Sequence, residues 1–140
     1  MRPRSIVEIA DRAVTGGGGF DEAVREFLDV WQSLDIQAKR ESISGEPCHV
    51  GRVQDAYLAA LAEHLSAADV IEPPVWTENA HRFLTRPYFA GGLESLKAIL
   101  LVESPPAFRR RLIFISRDAL SRPRREFIQG NALNVSNLDV

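Results

Sequence analysis

Apolar residues recur at helical spacing almost from the start of the chain. Ile6, Ile9, Ala10, Ala13 and Val14 fall at i, i+3, i+4, i+7 and i+8, which predicts one face of a short helix. Gly16 to Gly19 end it, because four glycines have too much freedom to hold a helix. A second helix is predicted from Phe20-Asp21. Its stripe is Phe20, Val24, Phe27, Leu28, Trp31 and Leu34, with Glu22, Glu26 and Asp29 on another face. The polar stretch 35–44 reads as an extension of that helix or a separate short turn. Pro47 marks 45–51 as a loop. A third helix is predicted over 52–68, burying Val53, Tyr57, Ala60, Leu61, His64 and Leu65, and ending before Pro73-Pro74.

Beyond Pro74 the pattern becomes irregular but stays rich in large side chains: Trp76, Phe83, Tyr88 and Phe89. A short helix over 78–84, with Thr77 as its N-cap, fits the spacing. A fourth helix is predicted over 93–103. Leu93, Leu96, Ile99 and Leu100 form its apolar face, and the run 98–102 makes it apolar nearly all round, as expected of a central, buried helix. Pro105-Pro106 stop it, and Pro106 suits the first turn of another short helix. The run 112–115 fits helix or strand equally.

These elements predict an all-α single domain of four or five helices over residues 1–129, with room for one short C-terminal strand pair. A weakly ordered tail is expected over 130–140. The core is expected to include Phe27, Trp31, Leu61, Leu96 and Leu100. Composition agrees, since 140 residues with 45% hydrophobic content can bury a core without disulfides or metal. Cys48 is the sole cysteine, which excludes an intramolecular disulfide and fits a reducing cytoplasm. The N-terminus lacks the apolar stretch of a signal peptide, and no apolar run is long enough to span a bilayer, so no membrane association is expected.

Charge adds an asymmetry that the net value of −2 conceals. Residues 1–108 carry −6, whereas 109–140 carry +4, with seven arginines between Arg109 and Arg125. Arg109, Arg110 and Arg111 are consecutive, and on a helix they fan too widely to meet one surface. One of them can pair with Glu103 or with the acidic second helix and leave the others free. Arg122, Arg124 and Arg125 surround Pro123 as a basic turn. Such a segment suits an acidic protein surface, a nucleic acid, or the domain's own acidic helices.

Catalytic chemistry is hard to find. Gly16–Gly19 follow a helix, not a strand, and precede Phe20-Asp21 where a phosphate loop would carry Lys-Ser/Thr, so they read as a linker. His49, His64 and His81 lack metal-ligand spacing. Nothing beyond His49 stands near Cys48 to activate it. Neither cofactor nor metal is expected, and no enzymatic activity. No helix-turn-helix, zinc finger or RNA-recognition signature accompanies the arginines. Phe108 and Phe114 could stack on bases, but their apolar neighbours favour the core.

The stretch 83–123, FLTRPYFAGGLESLKAILLVESPPAFRRRLIFISRDALSRP, together with FDEAVREFLDVW at 20–31 and VWTENAHRFL at 75–84, resembles a family of short bacterial proteins encoded beside nucleotidyltransferase-like proteins. That resemblance implies an antitoxin or companion subunit that restrains a nucleotidyltransferase-like toxin, and it carries no catalytic residue with it. Under this reading the partner-binding residues are Arg109, Arg110, Arg111, Arg122, Arg124 and Arg125 with Trp76, Phe83 and Tyr88. The alternative is a nucleic-acid-binding regulator that uses the arginines of 109–125.

Overall fold

Helix starts follow local chemistry in the computed structural model, which describes residues 2–91 and 97–121. Helix α1 (Ile6–Thr15) begins at Ser5, whose side chain accepts from the Glu8 N–H at 3.2 Å. Helix α3 (Ile36–Ser44) begins at Asp35, which accepts from the Ala38 N–H at 2.8 Å, so the polar stretch is a helix in its own right. Helices α2 (Phe20–Trp31) and α4 (Arg52–Ala68) begin after Gly19 and Gly51, which have no side chain to cap them. In α4 a buried carboxylate compensates. Asp55 accepts from the Val50 and Gly51 N–H groups at 2.9 and 3.4 Å.

The glycine run between α1 and α2 is a tight connection built over Arg12. Gly16 (φ +80°) takes the left-handed cap conformation. Gly18 (φ +132°) lies against the Arg12 guanidinium, and a Cβ there would stand 2.7 Å from Nη2. That guanidinium donates to the Gly17 carbonyl at 2.8 Å and to both oxygens of Glu26, with Glu22 at 3.5 Å. The acidic face of α2 is thus met by Arg12.

The hub of the fold is α4. Ala56, Leu58, Ala59, Ala60, Leu61 and Ala62 are all fully buried. Its small residues let α6 (Pro106–Arg109) and two 3-10 turns, Val75–Glu78 and Ala80–Arg82, pack directly on it. The helix predicted over 78–84 is therefore two turns, broken where Asn79 is extended (ψ 142°) and donates to Glu46 at 3.0 Å. Phe108 is fully buried and joins the face of α4 through edge contacts to Tyr57 and His64 at 5.0 and 6.2 Å. Of the expected core, Phe27, Trp31, Leu61 and Leu100 are buried, and Leu96 lies outside the described residues.

Helix α5 (Lys97–Glu103) is not the central helix its sequence suggested. Of its described side chains, Leu100 is buried, while Ile99, Leu101 and Val102 are 50, 46 and 76% exposed. An all-round apolar pattern fits full burial or a face left open, and it cannot tell the two apart. The alanines of α4 carry a weak apolar signal, and they took the central place.

Two short strands close the C-terminal region. β1 (Tyr88–Phe89) pairs in parallel with β2 (Ile113–Phe114), through Tyr88 N–H to the Leu112 carbonyl at 2.8 Å and Ala90 N–H to the Phe114 carbonyl at 3.0 Å. The pair is parallel because α5 and α6 lie between its strands. The described residues thus form an all-α domain of six helices with one strand pair. Among them no helix is long and apolar enough to cross a membrane. The tail expected over 130–140 lies outside the described residues.

Helix α4 ends in a Schellman turn: the Ile71 N–H donates to Ser66 at 2.8 Å and the Val70 N–H to Ala67 at 3.4 Å. The left-handed position of such a turn favours glycine, yet Val70 occupies it (φ +55°) with its side chain 91% exposed. A β-branched residue there costs roughly 1–2 kcal/mol. The extra freedom glycine brings to the unfolded chain offsets about 0.5–1 kcal/mol. Val70→Gly is therefore expected to stabilise the fold by about 0.5–1 kcal/mol in urea denaturation. A loss of stability would show that Val70 packs against something the strain serves.

Candidate functional site

The three consecutive arginines go to three separate tasks. Arg111 is fully buried: Nη1 donates to Glu63 at 2.6 Å and to the Ala107 carbonyl at 2.9 Å, and Nη2 donates to the Thr77 carbonyl at 2.8 Å. Burial lowers its pKa and the Glu63 carboxylate opposes that shift. Arg110 donates to Glu63 at 2.7 Å and grips both oxygens of Glu78 at 2.9 and 3.0 Å. Those hydrogen bonds, Glu78 first and then Glu63, raise the Arg110 pKa. The same contact holds the Glu78 carboxyl below its ordinary range. Arg109 is exposed and donates to the Ser104 carbonyl at 2.7 Å, just beyond the end of α5. One of the two expected partners, the acidic face of α2, is taken by Arg12. Glu63 on α4 and Glu78 take that place, and two arginines pair internally, not one. Arg122, Arg124 and Arg125 lie outside the described residues.

The aromatic anchors divide in the same way. Phe83 is half-buried beneath both guanidiniums, with Arg110 and Arg111 carbons 5.1 and 4.5 Å from its ring centre, so these three residues form one cluster. Trp76 is buried; its indole N–H donates to the Ile43 carbonyl at 3.0 Å and its ring lies under Arg82 at 4.9 Å. Both rings hold the 75–83 segment on the core. Tyr88 is 42% exposed and points toward a pocket between α2 and α4. Phe89 stacks on Phe114 at 4.9 Å with Lys97 over its face at 5.0 Å. Phe108 and Phe114 are buried, as their neighbours implied.

Among the described residues, exposed large apolar side chains gather on α5. Its exposed Ala98, Ile99 and Val102 lie one turn apart on one side, and the Arg109 guanidinium marks the C-terminal end of that helix. Contiguous apolar exposure edged by charge is the mark of a protein contact surface.

One histidine is oriented as a proton-accepting group would be. His49 Nδ1 lies 2.5 Å from Asp55 Oδ2, while most of its ring faces solvent and Asp55 is buried. Burial raises the Asp55 pKa, but the Val50, His49 and Gly51 contacts outweigh it and the net direction is down. This pairing, six residues apart, had no motif to announce it. Cys48, next in sequence, donates to Asp11 at 3.6 Å. Desolvation and the Asp11 carboxylate raise its pKa, which keeps the thiol protonated and poorly nucleophilic. His64 is half-buried, and burial lowers its pKa, as befits a boundary histidine. Among the described residues no group of three or more His, Cys, Asp or Glu could hold a metal ion. Comparison of the chain with protein-family models, curated proteins and solved structures returns no match.

Proposed function

We propose that the protein is a non-enzymatic binding module that docks the open face of α5 on another bacterial protein and restrains it, as an antitoxin or companion subunit does. The observation that carries this reading is the exposure of Ile99, Leu101 and Val102 together on one short helix, where α1 and α3 expose one large apolar side chain each, Val14 and Ile36. The resemblance of 83–123 to companions of nucleotidyltransferase-like proteins supplies the partner class. Arg109 beside the patch suits an acidic rim on that partner. The nucleic-acid reading has less support, because Glu63 and Glu78 already neutralise Arg110 and Arg111.

Co-expression with the product of the adjacent gene, followed by co-purification, tests the proposal. The double variant Ile99→Asp, Val102→Asp removes exposed apolar groups and leaves the buried Leu100 in place. It is expected to weaken association by about 30-fold or more, as loss of two apolar anchors does at an interface. Thermal unfolding should stay near the wild type. Association that survives the double variant unchanged, or no association at all, overturns the reading. Tight, salt-sensitive binding to duplex DNA by the protein alone would put the arginine reading in its place.

A further inference from the structure

Away from α5, a pocket of about 350 Å³ opens between the first turns of α2 and α4, with β1 and the 3-10 turn Arg117–Leu120 along its edge. Val24, Val53 and Ile115 give it an apolar floor, and Phe20 meets Tyr57 edge-on at 5.7 Å on one wall. Five polar side chains also line it: Asp21, Arg25, Gln54, Tyr57 and Tyr88. Among the described residues not one of the five makes a side-chain hydrogen bond or ion pair. Several other opposite charges among the described residues do join. Arg12 holds Glu22 and Glu26, Lys39 holds Asp69, and Arg110 holds Glu63 and Glu78.

Asp21 and Arg25 are i, i+4 on α2, a spacing at which opposite charges readily join. Here they stay apart, one carboxylate and one guanidinium at the mouth of an apolar cavity. The lining carries no net charge, which disfavours a phosphate or any other polyanion beside Asp21. It suits a ligand with one positive end, one negative end and an apolar body. The volume lies at the small end of the range for small-molecule sites.

We propose that this pocket binds a free amino acid with an apolar or aromatic side chain. The ligand's carboxylate meets Arg25 and its ammonium meets Asp21. Its side chain lies on Val24, Val53 and Ile115, and the hydroxyls of Tyr57 and Tyr88 complete the polar rim. Phe20, Asp21, Val24 and Arg25 come from one helix and Val53, Gln54 and Tyr57 from another, so the site is held by regular structure. It does not depend on the α5 surface, and either can fail without the other.

Isothermal titration and thermal shift of the full chain test this with L-leucine and L-phenylalanine, their N-acetyl forms, which lose the ammonium, and their amides, which lose the carboxylate. The free amino acids are expected to bind and to raise the melting temperature with dose. Each blocked form is expected to bind about tenfold more weakly, the equivalent of one lost charge contact. Arg25→Met should weaken the free amino acids and leave the amides unchanged, and Asp21→Asn should do the same for the N-acetyl forms. Both variants change exposed groups, so thermal unfolding without ligand should match the wild type. Absence of binding up to about 10 mM, at which only interactions weaker than about 3 kcal/mol escape notice, overturns the proposal. So does binding that ignores both variants, or binding of nucleosides in preference to amino acids.

Discussion

Arg111→Ala is expected to destabilise the domain by about 3–4 kcal/mol in urea denaturation, the range for removing one partner from a buried charged network. Three acceptors lose a donor at once: Glu63 and the Ala107 and Thr77 carbonyls. Glu63 retains Arg110 at 2.7 Å, so its charge is not stranded, and this keeps the loss from running higher. The remainder comes from the cavity left over the Phe83 ring and from the uncovered carbonyls. Arg111→Met separates these parts. It fills most of the space and eliminates the buried Nε, which has no partner in the wild type. Both variants lose that Nε, so the methionine variant should recover about half of the loss by filling the space the alanine variant leaves empty. A loss under about 1 kcal/mol for the alanine variant would mean that the guanidinium's bonds are replaced by water at little cost. Replacing all three arginines together as a test of partner binding would confound folding with association, which is why the α5 variants serve that purpose.

Arg82→Ala is expected to cost about 3 kcal/mol, and its signature is local as well as global. Arg82 is 1% exposed and ties three parts of the chain together. Nη1 donates to the Asp55 carbonyl at 3.1 Å, and Nη2 donates to the Pro47 carbonyl at 2.8 Å and to Glu46 at 3.1 Å, with the guanidinium over the Trp76 ring. Without it, the loop 45–51 keeps its anchor on Asp55 but loses the one on Pro47. Hydrogen exchange should therefore accelerate at the Val50 and Gly51 amides, which Asp55 accepts, before it accelerates in the middle of α4. Unchanged protection at those two amides would show that Asp55 alone holds the loop. The same experiment reports on His49, because the loop that carries it would lose its fixed distance to the carboxylate.

Helix positions were largely legible in the sequence, because each depends on contacts a few residues apart. The apolar spacing through Ala60, Leu61 and Leu65 and the glycine before Arg52 set α4 at 52–68, the bounds the structure shows. Pro106 marked a helix start through its fixed φ, whereas 35–44 reads from the sequence as an extension of α2 or a short turn, and the cap at Asp35 makes it a separate helix. What could not be read depends on distance along the chain. Arg111 and Glu63 are 48 residues apart, and an arginine run looks the same whether it faces a partner or the domain's own acids. Asp21 and Arg25 are four residues apart on α2, and only the approach of α4 and β1 sets them at a shared cavity. The open face of α5 was misread as core because hydrophobicity records what avoids water, not what covers it. Parallel pairing of 88–89 with 113–114 likewise rests on the excursion between the strands, which no local pattern encodes.

The bonds from Trp76 to Ile43, Arg82 to Pro47 and Arg110 to Glu63 all join the second half of the chain to the first. On the ribosome this order has a consequence. Helix α4 leaves the exit tunnel well before Phe108 and Ile113, the residues that seal one side of it. At about 5–20 residues per second, its leucine and alanine surface waits roughly 3–10 s for that cover. A chain that stops short of β2 never acquires the cover. Truncation near residue 105 should therefore yield an aggregating nascent product and not a smaller folded one, so the stretch of message that encodes α6 and β2 governs whether α4 survives.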